Sequence, residues 1–250
     1  VTRGVVKSAR RVQIYGAGGI GKSSLAALAP NPIFLDIEDG TNDLAIARVT
    51  DIHTWARLRA WLQSDAANEY GSIVIDSTTK AEELATAHTL ATIKHPDKGI
   101  LVDHIESYGF GKGYQFLFET FLPLLVDLDR HVRAGRNVVL VTHDCVNDVP
   151  NPVGEDFIRY EPRLQQPKSG KASIRERVFE WCDDVLWIGY DVAVSKEGKG
   201  TGTATRTIWG VERPDHRAKT RSRALSEVGF LNYENDQDGA VWPLILGGAK

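Results

Sequence analysis

The eight residues Gly16-Ala17-Gly18-Gly19-Ile20-Gly21-Lys22-Ser23 satisfy the spacing G-x-x-x-x-G-K-[ST] at every fixed position. These residue types serve one chemistry, the cradling of a polyphosphate. Glycines let the backbone wrap so that successive N–H groups converge on anionic oxygens. The amino terminus of a helix that follows adds partial positive charge. Lys22 then neutralises the β and γ oxygens, and the Ser23 hydroxyl is a ligand for Mg²⁺. With Ser24 included, the expected nucleotide contacts run unbroken from Gly16 to Ser24. The cofactors expected are ATP and Mg²⁺.

Carboxylates at two strand ends extend that chemistry. Asp76 closes the apolar run SIVI at residues 72–75. Beside a phosphate loop, such an acid holds Mg²⁺ through water. The competing use is a cap for the next helix, open to Asp76, Ser77 or Thr78. The run FLDIEDG at residues 34–40 ends in Asp36, Glu38 and Asp39. On residue type alone, these three acids fit a solvated turn, a metal site, or a base aimed at water.

Regular elements must hold these groups in place. Residues 11–15 (RVQIY) read as a strand running into the glycine turn, and residues 22–29 as a helix stopped by Pro30. Further strands are expected at 32–37, 72–75, 137–142, about 180–190 and 204–211. Helices are expected at 54–67, 80–93 and 115–134. Trp55, Leu58, Trp61 and Leu62 recur at helical spacing and are read as core. Pro123 is expected to kink the long helix or mark its start. Residues 95–114 are loop-rich, and 144–172, polar and rich in Pro and Gly, read as a long loop of the kind that carries function. Residues 196–202 (KEGKGTG) read as a hairpin turn. Helices between the early strands call for a parallel sheet, and the late hairpin for an antiparallel extension. The expected fold is one α/β domain over residues 1–250, with an extension at 1–10 and a tail at 224–250.

Composition excludes some function classes. The chain has 250 residues, 42% hydrophobic and 25% charged, which is ordinary for a soluble globular protein. No apolar run approaches the roughly 20 residues of a membrane span, so a cytoplasmic protein without a membrane partner is expected. Cys145 and Cys182 form no metal-type pair and suit a reducing compartment. The formal charge of −3 does not by itself announce a nucleic-acid binder. From Arg159 to Arg223, however, fourteen Lys/Arg stand against nine Asp/Glu. A basic face for a polyanion or a solvated surface would each produce that excess.

F-[IL]-D-x-E after the phosphate-loop helix resembles the RecA-like ATPases. The segments GFGKGY, NVVLVTHD, RYEPRL and EWCDDVLW, in that order, resemble a narrower phage-encoded branch that includes the ATP-dependent Sak-type single-strand annealing proteins. The first resemblance implies that Glu38 orients and activates the attacking water, leaving Asp36 and Asp39 structural. It implies a γ-phosphate sensor at Thr142-His143, where the family often has Gln, with His143 the candidate. It also implies cations two residues apart that reach a neighbouring subunit's γ-phosphate. Lys219 and Arg221 have that spacing, with Arg217 or Arg223 as substitutes, so a homo-oligomer is expected. DNA-binding loops fall at residues 107–114 and 144–172. There Lys112, Arg159, Arg163, Lys168 and Lys171 are candidates for phosphate contacts, and Phe110, Tyr114 and Tyr160 for base stacking.

The function implied is DNA-stimulated ATP hydrolysis coupled to single-stranded DNA annealing or recombination. A single-strand DNA-binding protein is a further expected partner. The alternative is a regulatory P-loop ATPase switch whose long loop binds a protein. A small-molecule kinase is disfavoured because the paired cations follow a late strand rather than forming a lid. A GTPase is disfavoured by the absence of N-K-x-D.

Overall fold

Alternation along each central strand divides the interior into two cores. In β1 (Arg11–Gly16), Val12 and Ile14 face one side of the sheet and Tyr15 the other. The computed structural model describes residues 3–4, 8–167, 172–194 and 200–247. The phosphate loop leads from β1 into α1 (Lys22–Ala27), followed by β2 (Pro32–Asp36) and a three-residue β3 (Ala47–Val49). Next come α2 (Trp55–Gln63), β4 (Ser72–Asp76) and α3 (Thr78–Thr92). A 3-10 turn (Ile105–Tyr108) precedes α4 (Lys112–Arg133), then β5 (Asn137–Val149) and β6 (Phe157–Pro162). The chain continues through α5 (Ile174–Trp181), β7 (Asp184–Val194), β8 (Gly200–Trp209), α6 (Arg223–Val228), β9 (Phe230–Tyr233) and α7 (Val241–Leu246).

The strand order is β3-β2-β4-β5-β1-β7-β8-β9, with β6 attached to β5. Pairing is parallel from β3 to β7 and antiparallel for β8, β9 and β6. The expected α/β architecture, mostly parallel with an antiparallel carboxy-terminal extension, is therefore present. On one face, Leu35, Ile75, Leu140 and Val185 pack with Trp55, Leu58 and Leu62 of α2, Phe121 and Leu128 of α4, and Val178 of α5. On the other, Phe34, Val74, Val139 and Leu186 pack with Leu25 of α1, Leu225 of α6, and Trp242 and Ile245 of α7.

Register places the chemistry at one end of the sheet. β5 lies between β1 and β4, pairing Gly16 with His143 and Val141 with Asp76. The phosphate loop, Asp76 and His143 thus emerge side by side at the carboxyl ends of adjacent parallel strands, the usual place for ligands in such sheets.

Three expectations are corrected. Residues 144–172 are not a long loop: β5 continues to Val149 and returns as β6, with Asp144 opposite Pro162 and Val149 opposite Phe157. The turn-forming Pro and Gly residues cluster between Pro150 and Gly154, and the flanking strands are polar because they are largely solvated. Of the two expectations for Pro123, the one that made it the start of α4 falls, because the helix starts eleven residues earlier at Lys112, behind Gly109 and Gly111 with φ of 73° and 72°. The segment from residue 224 is not appended as a tail but contributes an edge strand and two helices to the second core. Residues 196–199 of the expected hairpin turn lie outside the described residues.

The carboxy-terminal elements brace the phosphate loop directly. Tyr233 Oη donates to Gly21 O at 3.0 Å, and Trp242 Nε1 to Leu25 O at 3.0 Å. Arg206 lies 4.3 Å over the Tyr233 ring and donates to Ile20 O at 3.0 Å. Tyr233→Phe removes one of these bonds and is expected to lower unfolding free energy by about 1 kcal/mol, read from the urea midpoint.

Candidate nucleotide site

Steric limits on the phosphate loop explain its glycines. Gly16 has φ 152°, and a Cβ there would meet Ile188 O at 2.3 Å. Gly21, at φ 99°, caps α1, where a Cβ would meet Arg206 and Tyr233 at 2.6 and 2.8 Å. Lys22 is buried, and its ammonium donates to Gly16 O and Ala17 O at 2.8 and 2.7 Å. Burial lowers the Lys22 pKa, while Asp144, Asp76 and Glu38 act to raise it.

Ser23 Oγ donates to Asp76 Oδ2 at 2.6 Å. Two hard oxygen donors so close together suit Mg²⁺, held by the hydroxyl and reached by the carboxylate through water. Asp76 is pushed up to about 6, chiefly by burial, with Ser23 lowering its pKa and Glu38 raising it. Capping of α3 falls to Ser77, whose Oγ accepts from Lys80 N at 3.1 Å, leaving Asp76 to Ser23.

Geometry separates the three acids of residues 34–40. Asp36 is buried and accepts from Gly40 N and Thr41 N, both at 3.1 Å, so it closes its own turn. Asp39 is exposed in that turn with φ 54°. Glu38 instead reaches across to β5 and α3. His143 Nε2 donates to its two carboxylate oxygens at 3.0 and 3.2 Å, and Ser77 Oγ donates to Oε1. Where the parallel pairing of β5 with β1 ends, Gln13 Nε2 donates to Thr142 Oγ1 at 3.0 Å, and His143 N donates to Thr79 Oγ1 at 3.1 Å.

The late cations stand along the flank of β7. Arg217 N donates to Tyr15 Oη, Lys219 pairs with Val185 in the backbone, and Arg221 N donates to Asp183 O. Successive residues thus step towards the amino-terminal end of β7, away from this chain's own phosphate loop. Arg217 donates two hydrogen bonds to the Glu176 carboxylate at 2.5 and 2.6 Å, Arg221 pairs with Asp183 at 2.8 Å, and the exposed Arg223 pairs with Glu227. Lys219 lies 4.7 Å from the Phe179 ring and forms no carboxylate pair among the described residues.

The expected nucleic-acid contacts are not brought together. Phe110 is fully exposed in a glycine turn, whereas Lys112 pairs with Asp97 at 3.7 Å and Tyr114 Oη donates to Glu106. Arg159 is held by Glu161 and Glu212 on the inner face of the β5–β6 hairpin. The other face carries Val146, Ile158 and Tyr160, all exposed in part, with the Tyr160 ring stacked on Trp187 at 5.3 Å. Arg163 is exposed beside His143 rather than on the hairpin. Lys168 and Lys171 lie outside the described residues.

Some candidate contacts come from parts of the chain with no sequence signal. A groove of about 320 Å³ runs from Ser24 past Leu28, Leu44 and Ile46 to Asp236 and Gln237. A larger cleft of about 600 Å³ opens at Ala17 and Ile20 among Trp187, Tyr190, Trp209 and Arg213. Asp236 and Gln237 are read from sequence only as part of the tail at 224–250, because nothing local ties them to a loop more than 200 residues earlier.

Among the described residues, no helix is long and apolar enough to cross a membrane, and no further His/Cys/Asp/Glu group is placed to hold a metal. Both cysteines are free thiols. No curated protein matches the sequence. Among solved structures, the chain is similar to the KaiC-like protein PH0186 from the hyperthermophilic archaeon Pyrococcus horikoshii OT3. That likeness has 14% identity, 90% of each chain covered and a TM-score of 0.42, too distant to bear on function. The family model described as AAA domain matches residues 8–222, which includes the phosphate loop, Glu38, Asp76 and His143. The chain belongs to the AAA domain family of P-loop ATPases.

Proposed function

We propose that this protein is a RecA-like, Mg²⁺-dependent ATP hydrolase in which Glu38 is the general base. The observation that carries the reading is the meeting of Glu38 with His143 and Ser77 at the strand ends that also bear Lys22, Ser23 and Asp76. The loop N–H groups and Lys22 bind the phosphates, and Mg²⁺, when held by Ser23 and Asp76, neutralises charge on their oxygens. His143 and Ser77 orient the Glu38 carboxylate. Glu38 takes a proton from the attacking water as its oxygen bonds to the γ-phosphorus, and the β–γ bridging P–O bond breaks with its electron pair going to ADP. The groove from Ser24 suits the base and ribose, with apolar Leu28, Leu44 and Ile46 beneath; Asp236 at its rim is paired through Oδ1 with Arg206 at 2.8 Å, which leaves Oδ2 to meet an exocyclic amine. Phosphate release from ATP should require Mg²⁺ and stop on chelation. Release that persists in excess chelator would remove Ser23 and Asp76 from the mechanism.

The β5–β6 hairpin begins at His143 and is the element through which nucleotide state reaches a partner. Between Asp144 and Pro162 it carries five acids and one base, Arg159, which is already paired. Acidic charge beside an exposed apolar row favours a protein partner over a nucleic-acid backbone. Exposed Phe110 beside Lys112 supports the second reading, single-stranded DNA bound in annealing or recombination by a Sak-type protein. Titrating labelled oligonucleotide at rising salt separates the two, because phosphate contacts weaken steeply with salt and protein docking on apolar residues does not. The lack of a carboxylate pair at Lys219 supports an oligomer in which that cation reaches the neighbour's phosphate. Co-assembly of Lys219→Ala with Glu38→Gln subunits should then restore some turnover, and no recovery counts against it.

A further inference from the structure

Negative charge predominates at the phosphate end of the site. Lys22 stands among Asp144, Asp76 and Glu38, and Mg-ATP itself arrives as a dianion. A second cation is needed where charge builds on the transferred phosphoryl group. Arg163 is placed to supply it. It follows β6 directly, and its N–H donates to His143 O at 2.8 Å. The Thr79 hydroxyl joins the same two residues, accepting from His143 N at 3.1 Å and donating to Arg163 O at 3.3 Å. The backbone of Arg163 is thus locked to the residue that holds Glu38.

The neighbouring arginines are committed elsewhere. Arg159 and Arg175 bind Glu161, and Arg217 binds Glu176. Arg163 is exposed and forms no ion pair among the described residues. Its charge is also felt at Lys22, where it lowers the ammonium pKa. Sequence alone makes Arg163 a DNA contact; the fold sets its backbone beside His143, whose strand partner is Gly16 of the phosphate loop.

We propose that Arg163 is a further catalytic residue, contacting the γ-phosphate of ATP within its own subunit and stabilising the charge that develops as the β–γ bond breaks. This rests on the ATPase reading given above. A guanidinium offers paired N–H donors to phosphate oxygens, which an ammonium reproduces only as a point charge.

The test compares wild type, Arg163→Ala, Arg163→Gln and Arg163→Lys in turnover and in ATP and ADP affinity. Arg163→Ala is expected to lower kcat about 10²-fold, with Arg163→Lys recovering part of the loss. ATP affinity should fall while ADP affinity stays within a few-fold. Arg163→Gln, which keeps most of the side chain, should follow Arg163→Ala if charge rather than packing matters. Mixed Arg163→Ala and Glu38→Gln subunits should not recover turnover, because neither kind of site is complete. Recovery in the mixture would assign Arg163 to the neighbour's site and overturn the proposal. So would unchanged kcat, or weakened oligonucleotide binding with kcat intact. If wild type does not hydrolyse ATP, the ATPase reading fails by itself, and the preference for ATP over ADP still decides whether Arg163 meets the γ-phosphate.

Discussion

Glu38→Gln is expected to lower ATP turnover by about 10²- to 10⁴-fold, the range for loss of a general base, while ATP affinity stays within a few-fold. Glutamine keeps the size of the side chain and can accept from His143 Nε2 and Ser77 Oγ, so the local bonding survives. What it loses is the capacity to take a proton from water. Lys22→Ala makes the contrast, because it removes the buried cation beneath the loop and is expected to abolish both tight ATP binding and turnover. Single-turnover phosphate release combined with equilibrium nucleotide binding reads both. If Glu38→Gln turned over at the wild-type rate, Glu38 would revert to a turn acid and another base would be required.

Asp76→Asn is expected to make the protein more stable and catalytically defective at once. The Asp76 carboxyl is pushed from 3.8 to about 6 in the folded state, first by burial and against the Ser23 hydrogen bond. The folded protein therefore holds this proton more tightly than the unfolded chain does. The stability this group contributes is full below the unfolded value and is lost as pH rises through about 6. A shift of that size corresponds to about 3 kcal/mol at neutral pH. In metal-free buffer at pH 8, Asp76→Asn should melt well above wild type, and the gap should close towards pH 4. Mg²⁺-dependent turnover should be lost in the same variant. An Asp76→Asn protein that melted no higher than wild type at pH 8 would mean that Asp76 is not held against its own charge.

The strand–loop–helix around Lys22 and the strand carrying Asp76 were legible because both signals are local. Fixed residue spacing marks the loop, and a continuous apolar run marks a strand buried on both faces. The β5–β6 hairpin was not legible. Asp144, Asn147 and Asp148 interrupt its strand pattern, since much of it faces water rather than a core. β3 is only three residues long, and β9 joins the sheet at an edge, so neither leaves a periodic trace. Cations posed the harder problem. Sequence shows Arg159 and Arg217 as exposed charge, but their partners Glu212 and Glu176 lie 53 and 41 residues away. Thr79 carries no signal, yet its hydroxyl links His143 to Arg163 because the fold stacks α3 against both.

The bracing of the loop by Tyr233 and Trp242 bears on the order in which the molecule is made. The whole G-x-x-x-x-G-K-S motif is synthesised well before β7, which starts at Asp184. β1 nevertheless acquires its neighbour β7 only after residue 184, and Gly21 and Leu25 meet their side-chain partners only after residues 233 and 242. A nascent chain still on the ribosome, or one cut before Tyr233, would display the motif without the braces that hold it. Nucleotide binding would then act as a late checkpoint, available once Tyr233 and Trp242 are in place and withheld from fragments that contain every catalytic residue named here.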